Sequence, residues 1–285
     1  MNWPEIETCS VFRGTVTAIG TSEVGAPEVR YRGVAVPQTV VATSKVNGYH
    51  ISAFCGLDAA HDDIALYFPN GAVANVIHFH RVNAEWNGME EIFVQGTARG
   101  GRGLEIGSRA RSGNSYRDKF HPSCEYTGMD VCDGPNVDVV GDAHHLSRCV
   151  QGKFDHILSI AVFEHLLMPW KVALEMNKVM NDGAQALIIS HGIWPLHEEP
   201  WDFFRFSQES WSGIFNVHTG FRMVRQSQSL AAYTVPNFAS GGDLQGMDIN
   251  PSYLMSGCLV EKIGPAKVQW EEEVSDVYDI HYNHT

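Results

Sequence analysis

The chain has 285 residues, 44% hydrophobic and 19% charged, enough apolar material for one large domain or two smaller ones. A formal net charge of −13 with only 20 Lys and Arg argues against nucleic-acid and anionic-membrane partners, which are held through basic side chains. No apolar run reaches the roughly 18 residues of a membrane span; Met1–Glu5 has no basic region leading into an apolar stretch, and the six cysteines form no CxxC pair, so a cytoplasmic protein with reduced thiols is expected.

Short β-branched or aromatic runs come first, punctuated by Gly, Pro and Asn. They are Ser10–Ile19, Val29–Val36, Thr39–Thr43, Tyr49–Phe54, Ile64–Phe68 and Val73–His80. Several alternate apolar and polar residues, as half-buried strands do, so residues 1–95 are expected to form a β-rich unit. Its expected role is to cover an acceptor site or to build an oligomer interface. His78 and His80 share one strand face, but no third ligand is evident for a zinc site. A short helix over Trp86–Gly96 and a Gly/Arg-rich hinge at Gly96–Gly103 follow.

Beyond the hinge strands and helices alternate, the pattern of a mostly parallel sheet with helices on both faces. Strands are expected at Leu104–Gly107, Tyr126–Val131, Val137–Gly141, Phe154–Ile160 and Ala184–Ser190. Helical spacing covers Trp170–Met180, stopping at Asn181-Asp182-Gly183, and Ser207–Phe215 reads as a helix with Ser207 as N-cap. Phe221–Ser227 and Tyr253–Glu261 are expected to close the sheet, giving an α/β Rossmann-like domain over 96–265 and a tail over 266–285. In such sheets the ligand lies beyond the carboxyl ends of the strands.

Each of those ends carries candidate chemistry. Gly107 follows the first strand, where backbone can approach a ligand closely. Asp130 ends the second, suited to ribose hydroxyls, and Asp142 follows the third, suited to an amino group. Phe163-Glu164-His165 follows the fourth. In this order the motifs Leu-Glu-Ile-Gly (104–107), Gly-Met-Asp (128–130), Gly-Asp-Ala (141–143), Phe-Asp (154–155) and Glu-His (164–165) resemble class I S-adenosylmethionine-dependent methyltransferases. Val179–Gly183 is similar to that family's turn before the fifth strand. His197–Phe206 (HEEPWDFFRF) resembles a signature of a bacterial subgroup associated with glycan and natural-product assembly.

The resemblance covers roughly residues 100–262 and implies S-adenosylmethionine as cofactor. It places Glu105 and Gly107 at the methionine and ribose side, Asp130 on the ribose, and Asp142 with Ala143 on the adenine, with Ser108 also among the cofactor-binding residues. Arg109 stands where the family has a second glycine. The implied activity is methyl transfer to a hydroxyl of a small molecule or glycan. His197 is the leading candidate base, His165 a second, and Asp202 the orienting acid; His144 and His191 also fall on the rim. Glu198, Glu199 and Asp202 are the local acidic residues that could hold Mg²⁺, but an exposed acidic loop is the expectation, with no resident metal. The aromatic stretch from Trp194 to Phe206 is expected mainly as core or packed lid. Two other functions stay open: a non-catalytic scaffold on the same fold, and a nicotinamide-dependent oxidoreductase, which GxGxxG would mark and this chain lacks.

Overall fold

The computed structural model describes residues 5–12, 14–75, 84–111, 113–232 and 252–278. His78 and His80 lie outside them. The chain forms two compact units, Met1–Val82 with Ala231–Ser252 and Asn83–Leu230 with Tyr253–Thr285.

The first unit contains β1 (Glu5–Phe12), β2 (Thr15–Thr21), β3 (Glu28–Tyr31), β4 (Val34–Ala35), β5 (Gln38–Ala42), β6 (Gly48–Phe54), β7 (Ile64–Tyr67) and β8 (Val73–Asn75). They pair antiparallel into two four-stranded sheets, in the orders β1-β2-β6-β5 and β4-β3-β7-β8. Both sheets contribute to one core: Val16, Ala18, Tyr49, Ile51 and Ala53 from one, Val29, Ile64 and Leu66 from the other. Residues two apart share a strand face, which is why these positions alternate. The segment Ser10–Ile19, expected as one strand, is a hairpin. Gly14 takes φ +74°, and a Cβ there would sit 1.9 Å from the Gly56 carbonyl oxygen, so glycine breaks the run.

The second unit opens with α1 (Ala84–Thr97), so the helix read as the end of the N-terminal unit belongs here. Its seven strands are β9 (Gly101–Ile106), β10 (Cys124–Asp130), β11 (Val139–Val140), β12 (Phe154–Ile160), β13 (Met180–His191), β14 (Phe221–Ala232) and β15 (Ser252–Lys262). The sheet order is β11-β10-β9-β12-β13-β15-β14; β9 to β13 run parallel and β15 lies antiparallel to β13. This is a Rossmann-like sheet, mostly parallel, preceded in the chain by a β-rich unit.

Both faces of the sheet are buried. Ile157, Ala186, Ile188, Cys258 and Val260 face one core with Phe163, Val172, Met176, Trp211 and Phe215. Their neighbours Leu158, Leu187, Ile189 and Leu259 face the other, beneath Trp86, Met89 and Phe93 of α1. A strand buried on both sides reads as a continuous apolar run, as Ile157–Leu158 and Ala186–Ile189 do. Removing a fully buried ring such as Trp211 or Phe163 would cost about 3–5 kcal/mol.

α2 (Leu146–Cys149), α3 (Pro169–Val179), α4 (Ser210–Ile214) and α5 (Val274–Val277) complete the unit. α3 ends at Val179 without a loop: the chain enters β13 directly, and pairing shifts from Phe154↔Met180 to His156↔Gln185 around Gly183 at φ +81°. Ser207 does not cap the next helix. α4 begins at Ser210, whose hydroxyl donates back to the Ser207 carbonyl at 2.6 Å. No helix among the described residues is long and apolar enough to cross a membrane.

Candidate functional site

Chain order reverses at β9, between β10 and β12, the place where open α/β sheets take their ligands. Around it, residues at or just beyond the carboxyl ends of β9 to β13 line one cavity of about 640 Å³. That is the size of a small-molecule or cofactor site. Three residues other than glycine that line it hold positive φ: Ala110 (34°), Ala161 (55°) and Glu198 (58°). Such backbone is costly and collects at ligand sites.

Gly107, Asp130, Asp142 and Ala143 all line this cavity, whereas Glu105 and Ser108 stand behind it. Gly107 has φ +85°, and a Cβ there would meet Val162 Cγ2 at 2.1 Å, so only glycine lets β9 pass the end of β12. Ser108 is buried and donates to the Asn136 carbonyl at 2.9 Å. Glu105 is buried and accepts from the Tyr126 hydroxyl at 2.6 Å; burial pushes its carboxyl up, and that hydrogen bond only partly offsets the effect. Asp130 accepts from the Cys132 amide at 3.0 Å. Arg109 folds over it, with Nε 3.7 Å from Asp130 Oδ1. Asp142 caps the turn Ala143–His145: its Oδ1 accepts from the amide and from Nδ1 of His144, at 2.9 and 2.7 Å. Burial pushes the Asp142 carboxyl up, but the His144 hydrogen bonds leave it below the usual range. His144 Nε2 in turn accepts from the Met168 amide at 3.2 Å, so this buried imidazole is locked as a structural pin.

The other histidines gather where β12 and β13 end. The rings of His165 and His197 lie 4.8 Å apart, those of His191 and His197 5.1 Å, and His191 stacks on Trp194 at 4.5 Å. Glu164, fully buried, stands among them. Its Oε2 accepts from the Ser190 hydroxyl at 2.6 Å, and its Oε1 lies 2.9 Å from His191 Nδ1 and 3.7 Å from His165 Nε2 without an aligned hydrogen bond. Burial pushes the Glu164 carboxyl up, and His191 and Ser190 more than offset it, so it stays below the usual range. The backbone fixes the segment that follows β13: amides of Phe203 and Phe204 donate to the Glu164 carbonyl, and that of Phe206 to the His191 carbonyl.

Asp202 does not line the cavity. Its side chain is buried beneath His197, accepting from the His197 amide at 2.9 Å and from both Nη atoms of Arg205 at 2.6 and 2.8 Å. The Arg205 fork, opposed by burial, holds the Asp202 carboxyl far below the usual carboxylate range. The acidic loop therefore breaks up as a Mg²⁺ cluster: Asp202 is spent on Arg205, Glu198 pairs with Arg111, and Glu199 is exposed. The aromatic stretch divides too. Phe206 stacks on Trp211 at 4.5 Å and joins the core with Phe204, while Trp194 and Trp201 line the cavity.

Several lining residues had no signal in the sequence. Arg111 meets Glu198 across 87 positions of chain. Val274 of α5 also lines the cavity, and the neighbouring Glu273 accepts from Lys171 at 3.0 Å, so the expected tail contributes a wall.

No protein-family model matches the chain, and no curated protein sequence matches it. Solved structures similar to it include YcgJ from Bacillus subtilis (16% identical, TM-score 0.44, covering 63% of this chain and 99% of that one). Another is an S-adenosylmethionine-dependent methyltransferase from Clostridium acetobutylicum (8%, TM-score 0.42, 66% and 95%). A third is the 1,6-didemethyltoxoflavin N1-methyltransferase of Burkholderia thailandensis, solved with S-adenosylhomocysteine (12%, TM-score 0.43, 64% and 79%).

Proposed function

We propose that this chain is an S-adenosylmethionine-dependent methyltransferase acting on a hydroxyl of a small molecule or glycan. The supporting observation is one cavity edged by Asp130 and Asp142 at two successive strand ends, with glycine at positive φ on the strand between sheet halves. Four carboxylates line it (Asp130, Asp142, Glu164, Glu198) against two guanidiniums (Arg109, Arg111), a balance suited to a cationic ligand. Bound there, the cofactor would supply an electrophilic methyl group on a sulfonium.

The protein's own part is binding, orientation and proton handling. Asp130 would accept from ribose hydroxyls, with Arg109 moved aside. The outer oxygen of Asp142 and the Ala143 amide suit an adenine edge, and Ile106, Met129 and Leu166 provide apolar wall. On the acceptor side, His197 and His165 offer imidazole nitrogens to the hydroxyl proton, with Asp202 positioning His197 through its amide. The Arg111–Glu198 pair ties two lining loops together.

The test is a calorimetric titration with S-adenosylhomocysteine beside Asp130→Ala. Micromolar binding, weakened at least tenfold in the variant, is expected. No binding by the wild-type chain would instead favour the second reading, a non-catalytic scaffold, for which the existing Arg109–Asp130 contact is the specific observation.

A further inference from the structure

We propose that Glu164, His165 and His197 form a binding site for a divalent transition-metal ion in the wall of this cavity. One ligand atom from each lies within 4.8 Å of the others, and all three residues line the cavity. Bound zinc holds N and O donors at about 2.0–2.2 Å, which sets them roughly 3.3 Å apart. The 3.7 Å between His165 Nε2 and Glu164 Oε1 is close to that spacing already. No pair would have to close by more than about 1.5 Å.

Hydrogen bonding decides which atoms are free. His165 Nδ1 lies 2.5 Å from the Trp201 carbonyl and His197 Nδ1 3.1 Å from the Pro195 carbonyl. A carbonyl only accepts, so each Nδ1 carries the hydrogen and each Nε2 presents a lone pair. Metal-bound histidines are oriented in this way, by a carbonyl or carboxylate on the other ring nitrogen, and Asp202 Oδ2 stands 3.5 Å from His197 Nδ1. Glu164 supplies the anion. Ser190 occupies its Oε2, and its buried Oε1, 2.9 Å from His191 Nδ1, makes no aligned hydrogen bond. Lone pairs of Glu164 Oε1 and His165 Nε2 therefore face one another, an arrangement that a cation between them relieves. Two imidazoles and one carboxylate suit Zn²⁺, Fe²⁺ or Co²⁺ rather than Mg²⁺ or Ca²⁺.

The site stands on this geometry alone; its use in methyl transfer rests on the function proposed above. An acceptor hydroxyl on the ion releases its proton to water more readily. Its oxygen would form the new C–O bond, and the S–C electron pair would return to the sulfur of S-adenosylmethionine, leaving a neutral thioether. His165 and His197 then act as ligands rather than bases.

The chelator-treated full chain should be titrated with ZnCl₂ by calorimetry and with CoCl₂ by visible absorption, beside His165→Ala, His197→Ala and Glu164→Gln. One equivalent of Zn²⁺ at micromolar or tighter affinity is expected, weakened at least tenfold in each folded variant, with a Co²⁺ band of a four- or five-coordinate site in the wild type. Absence of zinc binding by the wild type overturns the proposal, as does binding that His197→Ala leaves unchanged. S-adenosylhomocysteine is titrated into the same metal-free protein. Cofactor binding without zinc binding removes only the metal site, and the reverse removes only the methyl-transfer reading.

Discussion

At the scale of single residues, Arg109 bears most directly on ligand binding. Where the resembled family has a second glycine, this chain places a guanidinium whose Nε is 3.7 Å from Asp130 Oδ1 and makes no aligned hydrogen bond. An ion pair without an aligned hydrogen bond gains little, so little is lost when it opens. A ribose hydroxyl and Arg109 nonetheless compete for the same carboxylate. Arg109→Ala is therefore expected to tighten S-adenosylhomocysteine severalfold by calorimetry; a weaker complex would make Arg109 a cofactor contact. Gly107, Asp130, Asp142 and Ala143 were legible because each ends a strand whose apolar run sets its place. Glu105 and Ser108 sit on the same strand end, but alternation turns Glu105 away from the cavity towards Tyr126, and Ser108 is held by Asn136.

At the scale of elements, the segment from β13 to α4 is held by one buried carboxylate. Asp202 joins the His197 amide to both Nη atoms of Arg205, whose own side chain also reaches the Trp194 and Pro195 carbonyls. Asp202→Asn leaves Arg205 without its counter-charge and is expected to cost about 2 kcal/mol or more at pH 7. Because the folded-state pKa of Asp202 is depressed, its contribution is complete above the unfolded value, near 3.9, and is lost as pH falls below that. Urea midpoints of wild type and variant should thus differ by a constant amount from pH 5 to 8 and draw together gradually as pH falls from about 4 towards the depressed folded-state pKa. A difference that does not shrink at all between pH 5 and pH 2 would assign the effect to packing. The motif HEEPWDFFRF located this segment, but sequence spacing could not say that Asp202 turns inward while Glu198 turns to Arg111. Those directions depend on Glu198 holding φ +58° and on partners far off in the chain.

On the scale of the whole molecule, the chain divides into Met1–Val82 with Ala231–Ser252 and Asn83–Leu230 with Tyr253–Thr285, where composition set the boundary at residue 95. The boundary moved because α1 buries Trp86, Met89 and Phe93 on the Rossmann-like sheet, a tertiary fact that a 14-residue helix does not announce. Each unit has its own core, and every residue lining the cavity lies in the second. Ligand free energy adds to stability only where the bound state differs from the open one, so its effect should be local. Hydrogen exchange read by mass spectrometry, with and without S-adenosylhomocysteine, is expected to slow at 106–111, 128–131, 141–146 and 160–166 and to stay unchanged over 14–75. Those four segments are far apart in sequence and meet only at the carboxyl ends of β9 to β12, so joint protection requires one ligand spanning the switch point. Protection at 160–166 alone would place the ligand at the histidine cluster without the strand ends that carry Asp130 and Asp142, and would remove the support for the cofactor assignment.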